Sequence, residues 1–110
     1  MGDVIVLGEF EQLVLLAVLR LQEQAYAFSI RGEIEARTGR EVSRGAVYTT
    51  LDRLENKGFL RSWMSEPRPV RSGKARRHYT VEPAGIEALN AAREALSRMW
   101  AGLEPLAEKG

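Results

Sequence analysis

Cysteine is absent from the chain, which excludes disulfide staples and thiolate metal sites. Histidine is almost as scarce. His78 stands alone, so a first-row metal site would have to lean on carboxylates, and no suitable cluster of them is present. That leaves little material for paired carboxylates, a nucleophile–base pair or a metal set. The composition therefore reads as that of a protein that is not an enzyme, and no cofactor is expected. Long apolar runs are missing too: the longest, Leu13 to Leu19, is far too short to span a bilayer, so no membrane partner is expected. The opening Met1-Gly2-Asp3-Val4 lacks the basic region of a secretory signal, which makes the cytoplasm the expected compartment. No internal repeat or low-complexity linker is found. What is present is a chain of 110 residues, 45% hydrophobic and 28% charged, suited to one domain with one core.

The net charge of +1 says nothing about partners, but its distribution does. Residues 1–42 sum to −3, with four arginines against seven acids, and residues 43–60 sum to +1. Residues 61–81 sum to +5, six cations against Glu66, and residues 82–110 return to −2. A solvated surface run usually mixes its signs. Here the positive charge is focused on one segment of an otherwise mildly acidic chain, the pattern of a surface that meets a polyanion.

Taken in order, Val4 to Leu7 is too short to assign alone and either extends the first helix or packs on a partner. From Glu9 to about Gln22, Phe10, Leu13, Val14, Ala17, Val18 and Leu21 recur at helical spacing. Leu15, Leu16 and Leu19 add apolar groups on the other sides, which predicts burial on more than one face, in a core or an oligomer interface. After the polar break Gln22-Glu23-Gln24, a second helix is predicted over residues 27–38, with Tyr26, Ile30 and Ile34 as its core edge and Gly39 as its stop. A third follows after about four residues, so the two must pack at a sharp angle, as in a helix-turn-helix.

That third helix, residues 43–57, organises the reading. Ser43 is a good N-cap, Val47, Leu51 and Leu54 draw one apolar stripe, and Gly58 supplies the left-handed stop. The opposite face carries Gly45, Thr49, Asp52, Arg53 and Asn56, with Arg44 and Tyr48 on its flank. Alone, this is any amphipathic surface helix. Its neighbours change that. Residues 59–65 and 77–81 read as two antiparallel strands, joined by a loop rich in proline, glycine, serine and cations. Such a loop is long for a hairpin, which favours a functional tip. Pro83 then opens a helix on which Ile86, Leu89, Leu96, Trp100 and Leu103 fall on a seam interrupted by Arg93. At about 22 residues this helix would be roughly 33 Å long. A domain this small cannot cover it alone, so pairing with a second subunit is expected.

Three helices, a hairpin with a basic tip and a long seam helix are the order of a winged helix-turn-helix with a dimerisation helix. The fold class expected is mainly α with a small β-hairpin. At this point the residues resemble the PadR family of transcriptional regulators. Leu7-Gly8-Glu9-Phe10-Glu11 through Leu19, with Ala25-Tyr26-Ala27-Phe28-Ser29-Ile30, is similar to the family's opening helix and the Tyr-Gly-Tyr-Glu-Ile start of its second. The stretch Val42 to Gly58 resembles its serine-led Tyr-x-x-Leu-x-x-Leu-x-x-x-Gly helix, here Tyr48, Leu51, Leu54 and Gly58. Gly73 to Val81 resembles its basic wing strand. The resemblance covers roughly residues 7–103 and is to the short members with one C-terminal helix. Ala27 and Phe28 depart from the usual glycine and tyrosine, and Glu82 stands where a threonine cap is usual. Neither departure is expected to touch the recognition face.

The resemblance implies a homodimeric DNA-binding regulator, usually a repressor, acting on a palindromic double-stranded operator. Residues 1–81 would form the winged helix-turn-helix DNA-binding domain, with the wing at 59–81. Residues 82–110 would form the dimerisation helix and tail of the same compact unit. DNA binding is expected at Ser43, Arg44, Gly45, Tyr48, Thr49 and Arg53 of the third helix and at Arg71, Lys74, Arg76 and Arg77 of the wing, joined by Arg68. Dimerisation is expected at Phe10, Leu13, Leu89, Leu96, Met99, Trp100 and Leu103. Family members can bind planar aromatic or drug-like effectors between subunits, which makes Trp100 and Met99 candidates for such a site; the alternative is that Trp100 fills the interface. Tyr26 and Tyr79 are read as core, Trp63 as packing on the hairpin, and His78 as a strand residue able to touch a phosphate when protonated. A competing reading is a winged-helix module for protein–protein contact, which would need no basic wing.

Overall fold

The computed structural model describes residues 7–65 and 75–103. Val4 to Val6, Arg68, Arg71, Lys74 and the tail after Leu103 lie outside the described residues. The first helix, α1 (Glu9–Leu21), starts where the Glu11 carboxylate accepts from the Gly8 N–H at 2.8 Å. It buries Val14, Leu15, Ala17 and Val18. Leu16 and Leu19, expected to be covered, are exposed on the protomer. The polar break after α1 is a single 3-10 turn, Gln22–Gln24. Helix α2 (Ala27–Thr38) begins after extended Tyr26, whose N–H donates to the Ser29 hydroxyl, and ends at Gly39 with φ 71. Only Ile30 and Ile34 of this helix are buried. Tyr26 is half-buried at the rim rather than in the core.

The turn into the third helix is held from both ends. Arg31 Nε donates to the Val42 carbonyl at 2.7 Å, and the Val42 N–H donates to Glu35 Oε2 at 2.9 Å. Helix α3 (Arg44–Asn56) is capped by the Ser43 hydroxyl, which accepts from the Ala46 N–H at 3.0 Å. Val47, Leu51 and Leu54 are buried as their spacing predicts, and Thr50 is buried beside them. Gly58, at φ 83, turns the chain out of the helix. Strands β1 (Leu60–Met64) and β2 (Arg77–Val81) pair antiparallel, Leu60 opposite Val81 and Ser62 opposite Tyr79. Leu60, Tyr79 and Val81 form the face that joins the core. The Ala25 carbonyl accepts from the Tyr79 N–H at 3.0 Å, so the link between α1 and α2 lies along the free edge of β2.

Helix α4 (Pro83–Trp100) has proline in its first turn, and the Glu82 N–H donates to the Phe59 carbonyl at 2.9 Å. The Glu82 side chain makes no cap. Gly85 lets the helix close on the hairpin: a Cβ there would sit 2.6 Å from Phe59 O and 2.9 Å from Val81 Cγ1. At 18 residues the helix is about 27 Å long, shorter than its sequence suggested. Gly85 and Leu89 are its buried residues, and nothing described beyond Leu89 is buried. Its first half is thus anchored and its second half stands in solvent.

Among the ion pairs that join separate elements, one is largely buried on its acidic side. Glu11 Oε2 meets Lys57 Nζ at 2.9 Å, joining the first turn of α1 to the end of α3, with the Glu11 side chain 9% exposed. Burial alone would raise the Glu11 carboxyl, but the Lys57 ammonium and the Gly8 N–H outweigh it and hold it below the ordinary glutamate value. A depressed carboxylate contributes stability that is present above its unfolded-state value, about 4.3, and is lost as the pH falls through the lower folded-state value. Glu11→Gln is therefore expected to cost about 1 kcal/mol at neutral pH. The deficit should close in acid, as read by urea denaturation at pH 7 and pH 3. An equal deficit at both pH values would show that the charge is not what stabilises this contact.

Candidate nucleic-acid interface

The exposed side of α3 is the one opposite its buried stripe. Arg44, Gly45, Tyr48, Thr49, Asp52, Arg53 and Asn56 are all solvent-exposed on it. Ser43 is exposed too, but its hydroxyl is engaged in the cap. A face of small and hydroxylic groups edged by arginines can approach a duplex groove without collision.

Beside α3 the hairpin base is held by a chain of hydrogen bonds. Arg77 Nη1 donates to Ser62 Oγ at 3.0 Å, and Ser62 Oγ donates to Glu55 Oε2 at 2.7 Å. Strand β2 is thereby tied through β1 to α3. Arg76 lies with its guanidinium carbon 4.4 Å from the centre of the Tyr26 ring. A groove of about 310 Å³ runs between these parts, lined by Tyr26, Phe28, Tyr48, Arg76, Arg77 and neighbours. Aromatic edges and guanidinium groups thus share one surface with the open face of α3.

His78 is turned to other contacts. Its ring stacks on Trp63 with centroids 4.4 Å apart and planes 11° apart, and meets the edge of Tyr26 at 5.7 Å. Its Nδ1 lies 3.1 Å from the Glu23 carbonyl. The ring thus packs where the sequence suggested a phosphate contact. Burial pushes the Tyr79 phenol upward, which keeps it neutral within the core.

The residues expected at a dimer seam divide. Phe10 and Leu13 are partly buried against the core, and Leu89 belongs to that core. Leu96, Met99 and Trp100 are exposed on the free half of α4, and Leu103, just beyond its end, is exposed as well. Between α1 and α2 lies a further apolar groove of about 370 Å³, with Leu13, Leu16 and Leu19 in its wall.

Sequence reasoning missed the Glu11–Lys57 and Glu55–Ser62–Arg77 contacts, which join residues remote in the chain and carry no local signal. Phe28 is different. It stands two positions before Ile30, about 160° around the helix from the core stripe, so its outward direction was readable. The structure places it beside Tyr48, on the side of the molecule where its departure from the family pattern was expected to have no bearing.

Residues 15–91, well over half of the chain, match the profile of the transcriptional regulator PadR-like family. The chain belongs to this family. Transcriptional regulator Rv3488 of Mycobacterium tuberculosis (strain ATCC 25618 / H37Rv) is 47% identical to the PadR-like chain over 64 residues, 58% of the chain and 56% of the relative. The match thus spans little more than half of that relative's length. A PadR-like transcriptional regulator from Bacillus cereus strain ATCC 14579 superposes with a TM-score of 0.70 at 18% identity, covering 89% of this chain and 90% of that one. A PadR family transcription regulator from hypervirulent Clostridium difficile R20291 gives 0.65 at 22% identity, covering 93% and 97%. At such identities the likeness is one of fold: mainly helical, with a two-stranded antiparallel hairpin. Membership of the family makes the chain a transcriptional regulator and not an enzyme. Among the described residues, no helix is long and apolar enough to cross a membrane.

Proposed function

We propose that this PadR-like regulator is a homodimeric repressor, acting in the cytoplasm, that binds a palindromic operator on double-stranded DNA. The observation that carries the reading is the shared surface of α3 and the wing base. Arg44, Gly45, Tyr48, Thr49 and Arg53 are exposed on α3, and Tyr48 among them lines one groove with Arg76 and Arg77, next to the most cationic segment of the chain. In this reading α3 reads base edges in the major groove, while the wing arginines, with Arg71 and Lys74 of the loop, hold phosphates. Residues 1–81 then act as the DNA-binding part and residues 82–110 as the pairing part. The exposed Leu96, Met99, Trp100 and Leu103 support pairing through α4, with Phe10 and Leu13 of α1 alongside. A small aromatic or drug-like effector stacking on Trp100, beside Met99, would relieve repression from that seam.

The test is selection of bound fragments from the source genome, followed by affinity measurements over a salt series. A palindromic site should be enriched, and its affinity should fall steeply between about 50 and 200 mM salt as phosphate contacts release counterions. Enrichment of no fragment, with no salt-dependent affinity for any duplex, would instead favour a protein–protein module.

A further inference from the structure

We propose that Phe28, in the first turn of α2, is a DNA-contacting side chain that packs on the deoxyriboses of the operator backbone beside the recognition helix. The inference rests on the DNA-binding reading above and extends the contact surface beyond α3 and the wing. At 80% exposure, Phe28 is the most solvent-exposed large hydrophobic side chain among the described residues. A single exposed ring is ordinary on a protein surface; what sets this one apart is its place among cations in two adjoining grooves.

The surroundings identify the cover. Phe28 lines two adjoining grooves, one shared with Tyr48, Arg76 and Arg77, the other with Arg31 and Arg44. Among the described residues, no acidic side chain lines either groove. An apolar ring framed by cations complements a surface that alternates anionic and apolar groups at short range. A sugar–phosphate backbone is such a surface: phosphates for the arginines, the carbon faces of the sugars for the ring. An acyl chain or an apolar helix would offer no anion to Arg44, Arg76 and Arg77. Position agrees, because α2 is the first helix of the helix-turn-helix, the one that crosses the backbone while the second enters the groove. The backbone that carries the ring is tied to the wing base. The Tyr26 N–H bonds to Ser29 Oγ, and Tyr26 is bridged to His78 of β2, so the first turn of α2 moves with the wing base.

A ring on sugars has a thermodynamic signature that separates it from every arginine nearby. It releases no counterions, so its removal lowers affinity without changing the salt slope. It reads no base edge, so the loss is the same on any duplex. The experiment measures wild type, Phe28→Ala, Phe28→Leu and Arg76→Ala by fluorescence anisotropy over a salt series. Each is titrated with the selected operator and with a scrambled duplex of the same length. Phe28→Ala should bind both duplexes about tenfold more weakly at every salt concentration, as expected for uncovering part of a phenyl ring on each protomer. Phe28→Leu should recover most of the loss. Arg76→Ala should instead lower the slope by about 1.8, since each dimer loses two cations.

Unchanged affinity of Phe28→Ala, with wild type binding DNA normally, would overturn this contact and leave the DNA-binding reading standing. Failure of wild type to bind any duplex would sink that reading itself. A loss confined to the operator would make Phe28 a base reader and refute the sugar contact. Dissociation of the Phe28→Ala protein in sedimentation equilibrium would refute it too, by assigning the ring to a second copy of the chain. Because the ring is exposed, the thermal midpoint of Phe28→Ala should match wild type.

Discussion

Leu96→Glu should convert the regulator to a monomer and weaken operator binding by a hundredfold or more. Leu96, Met99 and Trp100 fall at i, i+3 and i+4 on one stripe of α4, Leu103 follows just past its end, and all four are exposed. Nothing else in the described chain covers that stripe, since burial along α4 stops at Leu89. If two copies cover it for each other, burying a leucine contributes about 1.5–3 kcal/mol, and a pair of leucines twice that. Glutamate removes this contribution and places an unpaired carboxylate in the seam of each subunit. The dimer should therefore weaken by about a thousandfold or more. Operator affinity falls with it, because a second half-site engaged through a linked partner is worth about 10²–10⁴ in avidity. Leu96 is 55% exposed, so the protomer should keep its helicity and its unfolding midpoint. Sedimentation equilibrium decides the matter. A dimer that survives Leu96→Glu would move the interface elsewhere, the groove between α1 and α2 being the next place to look.

The second large effect is expected at the wing base. Replacing Arg76 and Arg77 together by alanine removes two cations per chain, four per proposed dimer, and the salt slope of that dimer should fall by about 3.6. At moderate salt the affinity loss should be on the order of a hundredfold, and it should be equal for operator and unrelated duplex, because phosphates carry no sequence. Thr49→Ala, on the open face of α3, should instead alter the preference between sequences. The Arg76–Tyr26 and Arg77–Ser62 contacts add a structural component to the wing loss. Lysine at both positions keeps the charge and gives up the planar stacking and the directed N–H bond. That variant should retain most of the slope while losing some affinity. If the double alanine variant binds as wild type does, the wing has no role on DNA.

Legibility differed from element to element. The boundaries of α3 were readable because its signals are local: a hydroxyl that caps one turn away, a stripe at helical period, a glycine free to adopt positive φ. Pro83 announced α4 in the same way, and the change of period after Gly58 announced the hairpin. The length of α4 was overread, since a sequence can continue in helical residues while the helix ends at Trp100. Burial was less legible still. Periodicity locates an apolar face but not what stands opposite it. Leu89 and Leu96 share one seam in the sequence, yet the body takes the first into its core and leaves the second in water. Tyr26 continues the spacing of Ile30 and Ile34, but the hairpin edge that meets it holds it at the rim.

The sequence by itself determined the order of elements, the start of each helix, and the concentration of positive charge after the third helix. These follow from interactions within a few residues, or from summed charge, which requires no fold. Only the tertiary structure decided which groups share a surface. It brought Phe28, Tyr48, Arg76 and Arg77 to one groove, joined Glu55 to Arg77 through Ser62, and left the far half of α4 uncovered. Such assignments depend on packing between residues distant along the chain, where the partner of a side chain is set by how helices and hairpin close on the core.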